Sequence, residues 1–406
     1  MEQTFLTELR IEKVRHLHDI TIPLSKTERK NLILTGKNGS GKTSVLEALR
    51  NYINSHTFIS DNLSRISQKE AEKYIALHAT RDRESKGTVS PKLTRQSWDE
   101  IAEKTGFKCK AFVNDINQLK DDYIHGKFIL AYYGDSRNLD LLPVDHIEKV
   151  HLKEIYGMNE KPSKELGKFL VDLESTRAFA LAKGDHIRTA QINNWFTRFE
   201  NILRRIYGDP SLKLDFNIDT FQFSILIDGR EPFDFNTMSM GYAAVFDIVA
   251  DLMMRMESQR RYDLEGIVLI DEIETHLHVE LQKQIVPILT ELFPNIQFIL
   301  TTHSPFILSS APNAVIYDLE KHLLVSEGMK NLSYEGIVEG YFGVDAYSEE
   351  LRNAFEEYKH LVTASELTDV QRARLAALRD YLDEVPDYLA REIAYEYSLL
   401  RLEYDD

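Results

Sequence analysis

Residues 36–43 read Gly-Lys-Asn-Gly-Ser-Gly-Lys-Thr and match the phosphate-binding pattern G-x-x-x-x-G-K-[ST]. The apolar run from Asn31 to Thr35 predicts a buried strand before this loop. Apolar residues at helical spacing between Ser44 and Ile53 predict a helix after it. In that order, the N–H groups of the glycine-rich turn and the positive end of the helix face the same anion. The stretch therefore predicts a nucleotide phosphate site, and a glycine-rich turn without a nucleotide is the alternative.

Each position of the loop has an expected role in binding ATP. Lys42 is expected to reach the β- and γ-phosphates, and the hydroxyl of Thr43 is expected to ligate Mg²⁺. The residues expected to bind the nucleotide here are Gly36, Lys37, Asn38, Gly39, Ser40, Gly41, Lys42, Thr43 and Ser44.

A second motif follows far downstream, where a strand of apolar residues at 267–270 ends in Asp271 and Glu272. Two acids at the end of an apolar strand are costly unless they meet a metal ion or a proton. We expect Asp271 to hold Mg²⁺, directly or through water, and Glu272 to polarise the attacking water. His303 follows the next apolar strand, 297–301, and is expected near the γ-phosphate or that water. The alternatives are an acidic turn and a structural histidine.

Composition narrows the class of protein. The chain has 406 residues, 43% hydrophobic and 28% charged, which is typical of a globular protein with a large core domain and insertions, or with two domains. A single cysteine, Cys109, excludes an intrachain disulfide and a cysteine-based zinc site, and favours a reducing compartment. The sequence contains neither an apolar run of membrane-spanning length nor an N-terminal signal core, so we expect a cytoplasmic protein without a membrane partner.

Charge is distributed unevenly along the chain. The net charge of −16 argues against a basic field over the whole molecule, although a local basic patch is still compatible with it. Residues 345–406 contain 16 acidic and 7 basic side chains. This segment therefore contributes more than half of the net negative charge of the chain. This segment is interpreted as a solvated acidic helical face or, alternatively, as a docking surface for another subunit.

The predicted fold class is α/β, with a mixed sheet and helical additions. Uniform apolar runs at 266–270 and 297–301 are typical of parallel strands buried on both faces. The head is expected to comprise 1–55 and 127–344, with a helical subregion at 146–208. A mostly helical insertion is expected at 56–126, and an acidic helical region at 345–406.

Several segments together resemble the ABC-type ATPase heads of the RecF/SMC class. They are most similar to bacterial ATPases grouped with the overcoming-lysogenization-defect proteins and their phage-defence relatives. The resemblance covers about residues 5–60 and 127–345 and is carried by Leu9-Arg-Ile-Glu-Lys-Val-Arg15, Tyr132-Tyr-Gly-Asp-Ser-Arg137, Asp271-Glu-Ile-Glu-Thr-His-Leu-His278 and Thr302-His-Ser-Pro-Phe-Ile-Leu308. It implies an ABC-type P-loop ATPase head, with Arg15 near the nucleotide and His303 as the switch histidine.

The segment Met238-Ser-Met-Gly-Tyr242 resembles the ABC signature, L-S-x-G, at the expected distance before the acidic pair. Ser239 and Gly241 match the serine and the second glycine, while Tyr242 replaces the usual Glu or Gln. A signature segment serves the phosphate loop of a second subunit. The resemblance therefore implies a head-to-tail homodimer, or a higher homo-oligomer, with ATP between subunits.

Two functional hypotheses follow from this resemblance. The first is an ATPase subunit of a phage-defence system, similar to those of Septu-type and PARIS-type systems. It would control a separate effector such as a nuclease, with DNA or a phage protein as candidate trigger. The second is a RecF-like repair or recombination ATPase that binds DNA through basic residues such as Arg177, Arg188, Arg204 and Arg205. A transporter ATPase is disfavoured because no membrane segment is visible.

Overall fold

The computed structural model describes residues 3–58, 108–329, 336–337, 349–364, 366–384 and 391–404. The chain divides into two compact units, Met1–Asn331 and Leu332–Asp406. The C-terminal unit therefore begins before residue 345, where the sequence placed its start.

The first unit is built on a six-stranded sheet. Its strands are β3 (Asn31–Thr35), β5 (Phe128–Tyr133), β9 (Glu265–Ile270), β10 (Ile296–Thr301), β11 (Ala314–Asp318) and β12 (Leu323–Val325). Their spatial order is β12-β11-β3-β10-β9-β5. All neighbours pair in parallel except β12, which pairs antiparallel with β11. Because β3, β10 and β9 are adjacent and parallel, their carboxyl ends lie on one edge of the sheet.

Helices on both faces bury this sheet. The helices that follow its strands are α1 (Lys42–Phe58), α6 (Val279–Leu292) and α7 (Pro305–Ser310), and α5 (Met240–Ser258) precedes β9. The strands β3, β10 and β11 are buried along their whole length. Uniform apolar runs suit such double burial. The predicted mixed α/β architecture is confirmed.

A three-stranded antiparallel sheet lies beside the central one. Its strands, in the order β2-β1-β4, are β1 (Leu6–Val14), β2 (Leu17–Pro23) and β4 (Lys108–Val113). Gln297, a fully buried residue of β10, joins the two sheets. Its side-chain oxygen accepts from the N–H of Leu6 at 2.7 Å, and its nitrogen donates to the carbonyl of Leu6 at 3.0 Å. An amide is tolerated in this apolar strand because its hydrogen bonds are made.

The predicted insertion at 56–126 differs from expectation at its C-terminal end. Residues 59–107 lie outside the described residues. Residues 108–113 form strand β4 rather than a helix, and a short helix, α2 (Ile116–Ile124), follows. The strand arises from a period-two pattern in which Cys109 and Ala111 are buried while Lys110 is exposed. Burial raises the pKa of Cys109 to about 12, so the thiol stays protonated at neutral pH.

The helical subregion begins later than residue 146. Regular helix starts at a 3₁₀ turn, Pro162–Glu165, and continues as α3 (Leu166–Ala182) and α4 (His186–Tyr207). The segment from residue 146 to this turn is fixed instead by hydrogen bonds to side chains. The carboxylate of Asp172 accepts from the Lys149 ammonium at 2.7 Å and from the Val150 N–H at 3.1 Å.

Aromatic residues attach this helical region to the rest of the head. Trp195 and Phe199 of α4 stack with their centroids 5.2 Å apart, and Phe199 lies 6.0 Å from Phe246 of α5. A small antiparallel sheet, β6-β7-β8, follows α4 and comprises Lys213–Asn217, Gln222–Leu226 and Phe233–Asp234. Strands β6 and β7 pair antiparallel as a hairpin.

A buried ion pair fixes α5 to β5. Asp251 is fully buried and accepts from the Nε of Arg255 at 2.7 Å and from the hydroxyl of Tyr133 at 2.7 Å. The guanidinium of Arg255 also donates to backbone carbonyls, including those of Leu130 and Glu160. Every charge in this cluster is therefore compensated, which a buried ion requires.

We expect Arg255→Met to lower the free energy of unfolding by about 3–5 kcal/mol, because it leaves a buried carboxylate without its cation. Urea denaturation of the full chain measures this loss. Arg261→Met is the matched control, since Arg261 pairs with Asp263 at the surface, where ion pairs contribute little. A midpoint for Arg255→Met equal to that of the control would contradict the prediction.

The C-terminal unit is a small helical assembly. Its described helices are α8 (Glu349–Val362), α9 (Asp369–Asp383) and α10 (Arg391–Tyr404). A capping box formed by Thr368 and Gln371 begins α9. The residues of its core are Leu351, Phe355, Tyr358, Leu361, Leu378, Leu382, Ile393 and Tyr397. Across the described parts of both units, no helix is long and apolar enough to cross a membrane.

Candidate functional site

The phosphate loop lies at the carboxyl end of β3 and leads into α1, as the sequence predicts. Gly36, Gly39 and Gly41 have φ angles of 135°, 85° and 95°, a region that residues with a Cβ rarely adopt. A Cβ on Gly36 would lie 2.8 Å from the Oγ of Ser40, so position 36 has no room for a side chain. That buried Oγ has no hydrogen-bond partner among the described residues, which suits a donor reserved for a phosphate oxygen.

The two lysines of the loop point in different directions. Lys42 is 5% exposed, and its ammonium donates to the carbonyls of Gly36 at 2.8 Å and Lys37 at 3.1 Å. The side chain of Lys37 is 77% exposed and pairs at 3.1 Å with Glu320, in the turn after β11. Lys42 is therefore the lysine whose charge faces the inside of the loop.

Asp271 joins the phosphate loop to two strand ends. It lies directly after β9, is buried, and accepts from the hydroxyl of Thr43 at 3.2 Å. The same carboxylate oxygen accepts from the hydroxyl of Thr301, the last residue of β10, at 2.5 Å. The two residues predicted to hold Mg²⁺ are thus brought together. Hydroxyl and carboxylate oxygens are the hard donors that Mg²⁺ prefers.

Glu272 follows in a strained backbone conformation. Its φ is 42°, which is uncommon for a residue with a side chain. The N–H of Glu272 donates to the Thr301 hydroxyl at 2.7 Å, and its carbonyl accepts from the guanidinium of Arg137 at 2.7 Å. Arg137 also donates to the carbonyl of Asp271 at 2.6 Å and is 2% exposed. Hydrogen bonds on both sides hold this turn, as strained residues at functional sites require.

His303 contacts a third acid of the same segment. Its backbone N–H and its Nδ1 approach Oε1 of Glu274 at 2.6 Å and 2.8 Å. Burial works to raise the pKa of Glu274, but hydrogen bonds from His303, from the backbone of Glu274 and from Thr302 together leave the pKa below its usual range. The hydrogen bond to Glu274 raises the pKa of His303 against a smaller effect of burial.

The signature-like segment caps α5. Ser239 is the N-cap residue of this helix, is exposed, and makes no side-chain capping hydrogen bond. Gly241 is buried against the segment after the acidic pair, where an added Cβ would lie 3.0 Å from the carbonyl oxygen of His276. Tyr242 stacks on Tyr207 at 4.1 Å. The hydroxyl of Ser239 is therefore available to a ligand.

Arg15 lies in the turn between β1 and β2 and is exposed, with a φ of 54°. The two residues after it approach the phosphate loop. A Cβ on Gly41 would lie 3.0 Å from Leu17 and 3.6 Å from His16. The turn that carries Arg15 thus abuts the loop, which is compatible with the implied contact with the nucleotide.

Three residues of this site have no role that the sequence predicts: Arg137, Glu274 and Thr301. The sequence contains a weak indication for each of them. Arg137 is a fully buried arginine just after a strand, and Thr301 is a polar residue that ends an apolar run. Glu274 is the third acid within four residues. The two contacts that give Arg137 its role join residues 134 and 135 positions apart in the chain.

The sheet order, the phosphate loop joined to Asp271 and the helix that begins at Ser239 define an ABC-type P-loop ATPase. The chain belongs to the family described as "AAA domain, putative AbiEii toxin, Type IV TA system", whose model matches residues 83–309. That range includes the acidic pair and His303 and begins after the phosphate loop.

Two curated relatives extend over most of the chain. The "Septu protein PtuA" of Bacillus mycoides (strain KBAB4) is 24% identical over 407 residues, covering 94% of this chain and 51% of that protein. The "Retron Vc95 probable ATPase" of Vibrio cholerae serotype O1 biovar El Tor is 24% identical over 365 residues, covering 73% of this chain and 70% of that protein. This chain thus spans about half the length of the Septu protein.

Solved structures of SMC heads also align with the chain. The head in the "Crystal structure of the SmcHead bound to the C-winged helix domain of ScpA" aligns with a TM-score of 0.40 and 13% identity. The alignment covers 81% of this chain and all of that one.

Proposed function

We propose that this chain is the ATPase subunit of a phage-defence system. In this proposal it binds Mg²⁺·ATP, dimerises head-to-tail around the nucleotide, and controls a separate effector such as a nuclease. The observation that carries the ATPase part is the contact of Thr43 with Asp271 at 3.2 Å, which unites motifs more than two hundred residues apart. The defence role is supported by the similarity to a Septu protein along 94% of the chain.

Phosphoryl transfer to water would use the site as follows. Lys42 and the N–H groups of the loop bind the phosphates and stabilise charge on the γ-phosphoryl group. Glu272 orients the water and accepts its proton as the new oxygen–phosphorus bond forms and the bond to the bridging oxygen of ADP breaks. Arg137 and Thr301 keep the backbone of Glu272 in place.

Thr43 and Asp271 would hold the Mg²⁺. Their oxygens lie 3.2 Å apart, and the remaining ligands would come from phosphate and water, as is usual for this ion. Bound there, Mg²⁺ would neutralise charge on the β- and γ-phosphate oxygens.

Dimerisation would complete each site. Ser239 is exposed at the start of a helix and its hydroxyl is not used for capping, so it can donate to a γ-phosphate held by another subunit. In a twofold dimer, two equivalent sites form, each with Lys42 from one subunit and Ser239 from the other.

A mixing experiment tests this arrangement. Lys42→Ala and Ser239→Arg should each abolish ATP turnover when measured alone. A refolded or co-expressed mixture should regain about a quarter of wild-type turnover, because half the dimers are mixed and each has one intact site. Turnover that stays at the level of the single variants in the mixture would exclude the head-to-tail dimer.

The effector is tested by co-expression with the neighbouring genes. We expect a complex with a nuclease or another toxic protein, whose mass changes with ATP. A lone homodimer that gains salt-sensitive DNA binding with ATP would instead favour the repair clamp. The described basic residues support the clamp weakly, because Arg177, Arg204 and Arg205 each pair with a glutamate.

A further inference from the structure

We propose that Glu274 is a positioning residue for ATP hydrolysis, which fixes the ring of His303 so that Nε2 is the nitrogen presented to the γ-phosphate. This inference rests on the proposed function, and it assigns a role to an acid that the nucleotide motifs do not use.

One carboxylate oxygen of Glu274 fixes His303 at two points. Oε1 accepts from the backbone N–H at 2.6 Å and contacts Nδ1 of the ring at 2.8 Å. The first contact sets the position of the backbone and the second sets the rotation of the ring. When Nδ1 donates to a carboxylate, Nε2 is the ring nitrogen that is left to face a ligand.

The carboxylate of Glu274 is more buried than the ring of His303, as expected if a fixed carboxylate positions an accessible ring. The side chain of Glu274 is 6% exposed, whereas that of His303 is 51% exposed. The carboxylate is thus enclosed in the protein, while the ring has an open side. Burying a carboxylate is costly unless it is paired, and here its partner is a half-exposed ring rather than another core residue.

The surroundings of the ring belong to the nucleotide site. Lys42 and Glu272 also act electrostatically on the His303 ring. The hydrogen bond to Glu274 raises the pKa of His303 and so favours the protonated ring. In the protonated ring Nε2 carries an N–H, which can donate to a phosphate oxygen.

The chain connectivity couples this pair to the catalytic turn. Glu274 lies two residues after Glu272, and His303 lies two residues after Thr301. Thr301 itself contacts both Asp271 and the N–H of Glu272. The Glu274–His303 contact therefore forms a second link between the segments that follow β9 and β10.

The test compares full-length variants in steady-state ATP hydrolysis: Glu274→Ala, Glu274→Gln, His303→Ala and the double variant Glu274→Ala/His303→Ala. We expect Glu274→Ala to lower kcat about 10- to 100-fold, the range seen for carboxylates that orient metal-binding histidines, with a smaller change in KM. Glu274→Gln keeps an oxygen acceptor without the charge and should fall between Glu274→Ala and wild type. The double variant should be no slower than His303→Ala.

Glu280→Ala is the matched control, because Glu280 is an exposed acid in the first turn of α6. Thermal melting of each variant separates misfolding from loss of positioning. If Glu274→Ala and Glu274→Gln, both folded, hydrolyse ATP like Glu280→Ala while His303→Ala is impaired, Glu274 does not position the ring. If wild type neither binds nor hydrolyses ATP, the proposed function itself fails.

Discussion

Glu272→Gln protein should bind ATP, hydrolyse it at least about 100-fold more slowly than wild type, and accumulate as an ATP-bound dimer. The amide has nearly the shape of the carboxylate but accepts a proton poorly. Proton removal from the attacking water is therefore lost, while phosphate binding by the loop is retained. Because the ATP between the two subunits is no longer hydrolysed, the ATP-bound dimer persists.

The structure explains why this substitution should leave the site intact. The backbone of Glu272 is held by the Thr301 hydroxyl on its N–H and by Arg137 on its carbonyl. Neither contact involves the side chain that changes. A glutamine at a φ of 42° experiences the same backbone strain as a glutamate, so the turn keeps its geometry.

Mass measurement in solution with and without ATP, beside a phosphate-release assay, tests the prediction. Glu280→Gln serves as control, since its side chain lies exposed on α6 and should leave turnover unchanged. Wild-type turnover in the Glu272→Gln protein would remove Glu272 from the catalytic role. If the Glu272→Gln protein loses turnover but stays monomeric under saturating ATP, Glu272 keeps its role as the base and the dimer is contradicted.

The nucleotide motifs could be predicted because their information is local. The glycines of the phosphate loop, the buried strand before it and the acids after β9 are each contained in fewer than ten consecutive residues. Parallel strands buried on both faces appear as uniform apolar runs, so β9 and β10 were also visible. The carboxyl ends of such strands meet at one edge of a sheet, so the amino-acid sequence alone is enough to place Asp271 near Thr43.

The supporting residues could not be predicted because their roles depend on distant partners. Arg137 holds carbonyls at 271 and 272, and nothing in its own neighbourhood indicates this. Strand order is a similar case. Placing β3 between β10 and β11 depends on pairing across the whole head. The sequence does not predict strand β4, because its short alternation lies beside a polar, helix-prone stretch and its partner β1 lies at the start of the head.

Lys42→Ala should abolish ATP binding without lowering the stability of the nucleotide-free protein. The ammonium of Lys42 is buried, and its hydrogen-bond partners within the described chain are the carbonyls of Gly36 and Lys37. A buried cation paired only with neutral groups retains part of its desolvation cost. The phosphates of ATP supply the missing negative charge, so the lysine contributes to binding rather than to folding.

Thermal melting with and without ATP measures both consequences. At ATP concentrations of about 100 times Kd, ligand binding stabilises the wild type by about 2.7 kcal/mol, which raises its melting temperature by several degrees. The Lys42→Ala protein should melt at or above the nucleotide-free wild type and show no shift with ATP. Lys26→Ala, an exposed lysine before β3, should retain the full shift. An ATP-induced shift in Lys42→Ala equal to that of this control would show that the phosphates bind elsewhere, because no other lysine of the loop faces its interior.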